Sequence, residues 1–106
     1  MISVDIKKSG EKFISLEVSG HAEFANPGKD VVCSAVSVLV INALNSIECL
    51  TTDKVGVESE ESGYIYASFP VDLSSDSILL LNSLELGLSE IEKKYKKYFK
   101  LKIKEV

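Results

Sequence analysis

Two runs of alternating apolar residues open the chain and limit the folds it can adopt. Their apolar members are Ile2, Val4, Ile6, Ile14, Leu16 and Val18, each separated from the next in its run by one other residue. A period of two puts such side chains on one face of a β-strand. The polar linker 8–11 between the runs contains Gly10. The sequence therefore predicts a β-hairpin with one buried face.

The sequence then shows two similar units, each a pair of alternating runs followed by a helical stretch. A turn-like segment at 60–63 separates a second pair of alternating runs, and each pair precedes a stretch with apolar residues at helical spacing. The helical stretches span about 31–50 and 76–99, and a short alternating run from Leu101 ends the chain. The first stripe is Val36, Val40, Leu44 and Ile47, and the second is Leu80, Leu84, Leu88, Ile91 and Tyr95.

The predicted order ββαββαβ indicates an α+β fold. We expect an antiparallel or mixed sheet, made of two hairpins and a short last strand, with two helices packed on it. The 106 residues match the common size of one domain, so 1–106 is expected to form a single domain.

Cysteine and histidine usage narrows the chemistry. The chain has one histidine, His21, and two cysteines, Cys33 and Cys49, without a CxxC motif. Neither a metal site nor a cofactor is therefore expected. No basic segment followed by an apolar one stands at the start, and no long uninterrupted apolar run occurs. We expect a cytoplasmic protein with reduced thiols and no membrane partner.

Charge is distributed unevenly along the chain. Residues 1–92 carry a net charge of −10 and residues 93–106 one of +6, and there is no arginine. Arginine is the preferred residue for bidentate recognition of phosphates and bases. Nucleic acid is therefore not expected as the main partner, although the lysine-rich end leaves RNA binding as a minor alternative.

The segment 20–30 links the first hairpin to the first helix and carries the candidate chemistry. Asn26, Pro27 and Gly28 are typical of a turn, and Asp30 is suited to cap a helix that starts at Val31. Cys33 would then be the third residue of the helix. There, the free amides and the positive helix end would favour the thiolate and could stabilise an oxyanion. The alternative is a structural cysteine that packs with the apolar stripe.

His21 stands at the other end of the same segment. A Cys–His pair is sufficient for nucleophilic catalysis, and the segment could bring Cys33 and His21 together. Asp30 could orient the imidazole, but the helix cap is its more ordinary role. Ser37 follows Cys33 by one turn on nearly the same helix face and could contact the site or a backbone carbonyl.

Two motifs at this separation resemble the signature of the ribosomal-processing cysteine protease (Prp) family. They are Gly20-His21-Ala22 and Gly28-Lys29-Asp30-Val31-Val32-Cys33-Ser34-Ala35-Val36-Ser37. Ser34 stands where the family often has alanine. The resemblance extends over the whole chain in length and element order.

The resemblance implies a homodimeric endopeptidase that removes an N-terminal extension from bacterial large-subunit ribosomal protein twenty-seven. It implies Cys33 as nucleophile and His21 as base, with Gly20, Asp30 and Ser37 in supporting positions. Ala22, Asn26, Pro27 and Gly28 belong to the loop expected to admit substrate, with Gly20 and Gly28 as candidate hinges. The alternative from another class is a non-catalytic ribosome-assembly or protein-binding module.

Overall fold

A computed structural model gives the fold. It describes the backbone of residues 1–20 and 27–106, and the side chains of 1–20 and 31–106. The elements follow the predicted order ββαββαβ.

The first hairpin forms, but the predicted alternation fails at one position. Ile14, expected on the buried face, is exposed and Phe13 is buried instead, because the register shifts between Lys7 and Lys8. Strand β1 (Ile2–Ser9) pairs antiparallel with β2 (Lys12–Ser19), with Val4 opposite Val18 and Ile6 opposite Leu16. These side chains are almost fully buried and belong to a single hydrophobic core.

A second hairpin and the last strand complete a five-stranded sheet. Strands β3 (Gly56–Ser59) and β4 (Ile65–Ser68) pair antiparallel, and β4 pairs antiparallel with β2. Strand β5 (Phe99–Glu105) runs parallel to β1. The strand order is β3-β4-β2-β1-β5. The prediction of an α+β fold is confirmed, and its sheet is mixed.

Helix α1 (Pro27–Leu50) begins four residues before the predicted Val31. The sequence pattern suggested a turn at Pro27. Proline is also favoured at the first helical position, because its fixed φ suits the helix and its missing N–H would have no helical partner there. The segment Val31–Leu50 has a mean hydropathy of 1.7, which satisfies composition rules for a membrane span. One face of it is nevertheless core: Val32, Val36, Val40 and Ile47 are fully buried.

Helix α2 (Ser75–Lys94) is capped by Ser74, whose hydroxyl accepts a hydrogen bond from the backbone N–H of Ser77. The predicted end at Phe99 is wrong, because the helix stops at Lys94 and Phe99 already opens β5. Apolar residues of both helices and of the sheet share one core, so both helices lie on the same face of the sheet. The other face carries polar residues such as Ser3, Asp5 and Lys7.

Candidate active site

Cys33 lies in the second turn of α1, because the helix begins at Pro27. The free amides of a helix belong to its first turn and therefore precede Cys33. The prediction that Asp30 is the N-cap and Cys33 the third helical residue is wrong. Asp30 lies within the helix, and the N–H of Cys33 is positioned to bond the carbonyl of residue 29 inside it. An oxyanion hole built on that amide therefore lacks support.

The Cys33 side chain is half-buried and packs against the hydrophobic core, whereas Cys49 is exposed at the other end of the same helix. A structural cysteine would usually be fully enclosed. A thiol that rests on the core but still reaches solvent is held in position and can be approached by a substrate.

The predicted base lies outside the described residues, as do Ala22 and Asn26. The proposed contact between His21 and Cys33 is therefore a prediction. Pro27 and Gly28, expected in the substrate loop, are the first two residues of α1.

Gly20 is the last described residue before His21, and its geometry requires glycine. Its φ is +85°, in the region that side chains disfavour, and a Cβ atom here would overlap the carbonyl oxygen of Met1. The chain can therefore leave β2 in this direction, beside the N-terminus of β1, only with glycine at this position. The sequence marked Gly20 as a motif residue and candidate hinge. The close approach to Met1 depends on the fold and was missed.

An open cleft of about 640 Å³ lies along the same side of α1 as Cys33. Ser37 follows Cys33 by four residues, and Leu44 and Glu48 continue this side of the helix; all three line the cleft. Val57 and Ser59 of β3 line the opposite side. One turn, about 6 Å of rise, separates Cys33 from Ser37. The cleft therefore leads toward the thiol.

The walls of the cleft carry more acidic than basic groups. Glu48, Asp53 and Glu60 line it together with Lys54. Within the described residues, neither Glu48 nor Glu60 forms an ion pair. These two carboxylates remain available to a positively charged partner.

Asp53 instead has a structural role that the sequence did not reveal. Its carboxylate accepts hydrogen bonds from the backbone N–H and hydroxyl of Ser74 at 3.1 and 2.6 Å, and from the hydroxyl of Ser77. The hydroxyl of Ser74 is the main cause that lowers the pKa of Asp53, followed by that of Ser77. Asp53 thereby joins the segment after α1 to the start of α2 and fixes one end of the cleft. The only sequence signal for this role was a pair of serines at the start of a predicted helix, with an aspartate upstream.

Among the side chains that the structure describes, no group of three or more His, Cys, Asp or Glu residues could hold a metal ion. A positioned, partly accessible cysteine, one helical turn from a residue that lines an open cleft, fits a cysteine protease.

Comparisons with known proteins agree with this class. The family model described as "Cysteine protease Prp" matches residues 1–100, and the chain belongs to this family. The ribosomal processing cysteine protease Prp of Bacillus subtilis is 34% identical over 102 residues, with 91% of each chain covered. The Staphylococcus aureus protein of the same name is 29% identical over 106 residues, covering 98% of this chain and all of that one.

Solved structures have the same fold. The S. aureus protease Prp in complex with a substrate peptide superposes with a TM-score of 0.90 at 24% identity, covering 98% of this chain and 100% of that one. The same protease with a covalently linked product peptide gives a TM-score of 0.87 at 25% identity, with the same coverage. The family assignment supports a protease rather than the non-catalytic assembly module.

Proposed function

We propose that the chain removes the N-terminal extension of bacterial large-subunit ribosomal protein twenty-seven, with Cys33 as nucleophile and His21 as general base. The observation that carries the proposal is the position of Cys33, half-buried in the second turn of α1 and one helical turn before Ser37, which lines the cleft. Relatives named ribosomal processing cysteine protease, at 34% and 29% identity, support the substrate assignment.

The reaction needs two half-reactions. His21 takes the proton from the Cys33 thiol, and the thiolate attacks the scissile carbonyl carbon. The C–N bond breaks as His21 returns this proton to the departing amine, which leaves a thioester on Cys33. Water, deprotonated by His21, then attacks the thioester and releases the acid and the free thiol. Gly20, Asp30 and Ser37 act as positioning residues.

The charge of the chain suits this substrate. Ribosomal proteins are basic as a class, and residues 1–92 carry a net charge of −10. An acidic surface raises the rate of encounter with a basic partner. Glu48 and Glu60 place part of that charge in the cleft. The proposal includes action in the cytoplasm and a homodimeric enzyme.

A peptide that spans the extension and the mature N-terminus tests the proposal. Incubated with the protein under reducing conditions and analysed by mass spectrometry, it should give two products from one cut. Cys33→Ala should abolish cutting with the fold retained by circular dichroism. Cys49→Ala, which removes the exposed thiol at the far end of α1, is the matched control and should cut normally. An intact peptide with the wild-type protein at several pH values would contradict the proposal.

A direct measurement of mass separates the two half-reactions. Mixing enzyme and peptide and quenching in acid should reveal an acyl adduct on Cys33, with the mass of the N-terminal fragment less one water. Substituting His21→Ala should abolish that adduct as well as the products. An adduct on Cys49 instead would overturn the assignment of the nucleophile.

A further inference from the structure

The two edges of the sheet differ in how they are protected. At the β5 edge, the backbone N–H of Leu101 donates a hydrogen bond of 2.7 Å to the carboxylate of Glu92, and Lys100, Lys102 and Lys104 occupy alternate positions. Such features prevent another strand from pairing with an edge. Strand β3, at the other edge, is exposed along its length and contains neither lysine nor proline.

Backbone hydrogen bonds show which groups of β3 face outward. The N–H of Glu60 donates to the carbonyl of Tyr64 at 3.0 Å. Bonded and non-bonded pairs alternate in an antiparallel ladder, so Glu58 and Gly56 also direct their backbone groups to β4. The intervening residues, Val57 and Ser59, direct theirs away from β4.

The other neighbour of β4 gives the same result independently. The N–H of Phe69 donates to the carbonyl of Ile14 at 3.0 Å, which extends the β2–β4 register. The alternation then makes Ala67 and Ile65 bond to β2 and leaves Tyr66 to bond to β3. No hydrogen bond from the described residues satisfies the outward backbone groups of Val57 and Ser59. The edge therefore offers two donors and two acceptors.

These free groups lie beside the cleft and at the level of the site. Val57 and Ser59 line the cleft opposite α1, and Ser37, one turn after Cys33, lines it too. Through Ile65, Ser59 is in register with Val18, two residues before the chain leaves β2 at Gly20 toward His21. The open end of β3 and the exit toward His21 are thus at the same end of the sheet.

We propose that an extended segment of the substrate adds to β3 as a sixth strand, hydrogen-bonded to the backbone of Val57 and Ser59, and that this pairing directs the scissile bond to Cys33. Strand addition gives affinity through the main chain, and side chains at alternate positions give specificity. Every second substrate side chain then enters the cleft toward Ile41 and Leu44 of α1. This inference rests on the proposed protease function and adds its mode of substrate recognition.

Amide hydrogen exchange tests the pairing directly. Cys33→Ala, saturated with the uncut peptide, should show slowed exchange at the amides of Val57 and Ser59, relative to the free variant. The amides of Leu101 and Ile103, which face outward on the protected β5 edge, should not change. Unchanged exchange at Val57 and Ser59 with the peptide bound would overturn the inference.

A pair of substitutions at one position tests the same contact in the active enzyme. Val57→Pro removes the outward N–H, which is tolerated on an edge strand. Val57→Ala shortens the side chain but keeps that N–H. The KM of the proline variant should be roughly 3- to 10-fold higher than the KM of the alanine variant, which is the effect of one hydrogen bond. The kcat values of the two variants should differ little. Equal KM values in two folded variants would count against the pairing.

Modified peptides separate failure of this inference from failure of the proposed function. N-methylation along the substrate should impair cutting at alternate residues, because only every second N–H of the added strand faces β3. Normal cutting of the parent peptide with no alternation would overturn the strand pairing and leave the protease function standing. Absence of both binding and cutting would overturn the proposed function and this inference with it.

Discussion

Gly20 meets the main chain of Met1 so closely that a Cβ atom at Gly20 would overlap the Met1 carbonyl oxygen. The contact ties the end of β2 to the start of β1, directly before the histidine proposed as the base. Two separate demands converge there: a φ of +85° and the absence of a side chain. The backbone conformation just after β2 therefore depends on a single glycine.

Gly20→Ala should destabilise the protein and reduce activity. The left-handed backbone alone costs a side chain roughly 1–2 kcal/mol, and the overlap with Met1 adds to it. Gly10→Ala is the matched control, because Gly10 has a φ of +63° but a Cβ atom there would meet nothing within 4 Å. Urea unfolding should show a larger loss for Gly20→Ala, and only this variant should lose kcat/KM, by roughly tenfold or more if the direction of residue 21 sets the position of the base. Equal losses would show that the contact with Met1 has no effect.

Alkylation of the two cysteines should follow catalytic role and not exposure. Cys49 is exposed and Cys33 half-buried, so accessibility alone predicts faster reaction at Cys49. Pairing with His21 predicts the reverse order, because the thiolate is the reacting species. Iodoacetamide labelling at neutral pH, followed by peptide mapping, should modify Cys33 first. In His21→Ala this preference should disappear; faster labelling of Cys49 in the wild type would contradict the proposed dyad.

Local sequence patterns predicted most helices and strands of the fold. They did not predict those helix and strand ends that depend on contacts with residues distant in sequence. The stripe Leu88, Ile91 and Tyr95 continues at helical spacing beyond the true end of α2 at Lys94. The chain leaves the helix there and pairs Phe99 with Ile2, a residue almost at the other end of the sequence. Neither residue's local pattern encodes that parallel pairing.

At the candidate site, too, some features could be predicted from local sequence and others could not. The paired motifs predicted Cys33 as the nucleophile, which stays a prediction, and spacing placed Ser37 on the same side of the helix. The Asn26-Pro27-Gly28 signal fits both a turn and a helix start, and only the fold decided for the helix. The open edge at β3 could not be found from the sequence, because it depends on which strand lies outermost.

The Asp53 cluster should make stability depend on acid pH. Hydrogen bonds from Ser74 and then Ser77 lower the pKa of Asp53 below its ordinary 3.8. A carboxyl with a lowered folded-state pKa contributes stability that is present above the unfolded value and is lost as the pH falls through the folded value. Asp53→Asn should therefore lower Tm at neutral pH and differ less from wild type in strong acid.

Asp72→Asn provides the control for this experiment, since Asp72 is exposed and makes no hydrogen bond or ion pair within the described residues. Thermal unfolding across the acid range should leave its Tm close to that of the wild type. A Tm loss for Asp53→Asn that persists undiminished in strong acid would assign the effect to packing and not to the charge.

One carboxylate should raise the pKa of Tyr64 above the ordinary value for tyrosine. The Tyr64 hydroxyl donates a hydrogen bond of 2.6 Å to Glu17, and this bond is the main cause that raises the pKa of Tyr64 to about 12. Glu17→Gln should return that pKa toward its ordinary value of 10.0, as followed by ultraviolet absorbance of the tyrosinate. Glu58→Gln, which removes only a weaker charge repulsion, should lower that pKa much less.

The sign of the stability effect follows from the raised pKa of Tyr64. The folded state holds the phenol proton more tightly than the unfolded chain, so this contribution is complete below the ordinary pKa of 10.0 and is lost as the pH rises toward about 12. Denaturant unfolding across that alkaline interval should show wild type losing more stability than Tyr64→Phe, which has no phenol proton to lose. Parallel curves for the two proteins would show that the Glu17 hydrogen bond does not couple folding to the Tyr64 proton.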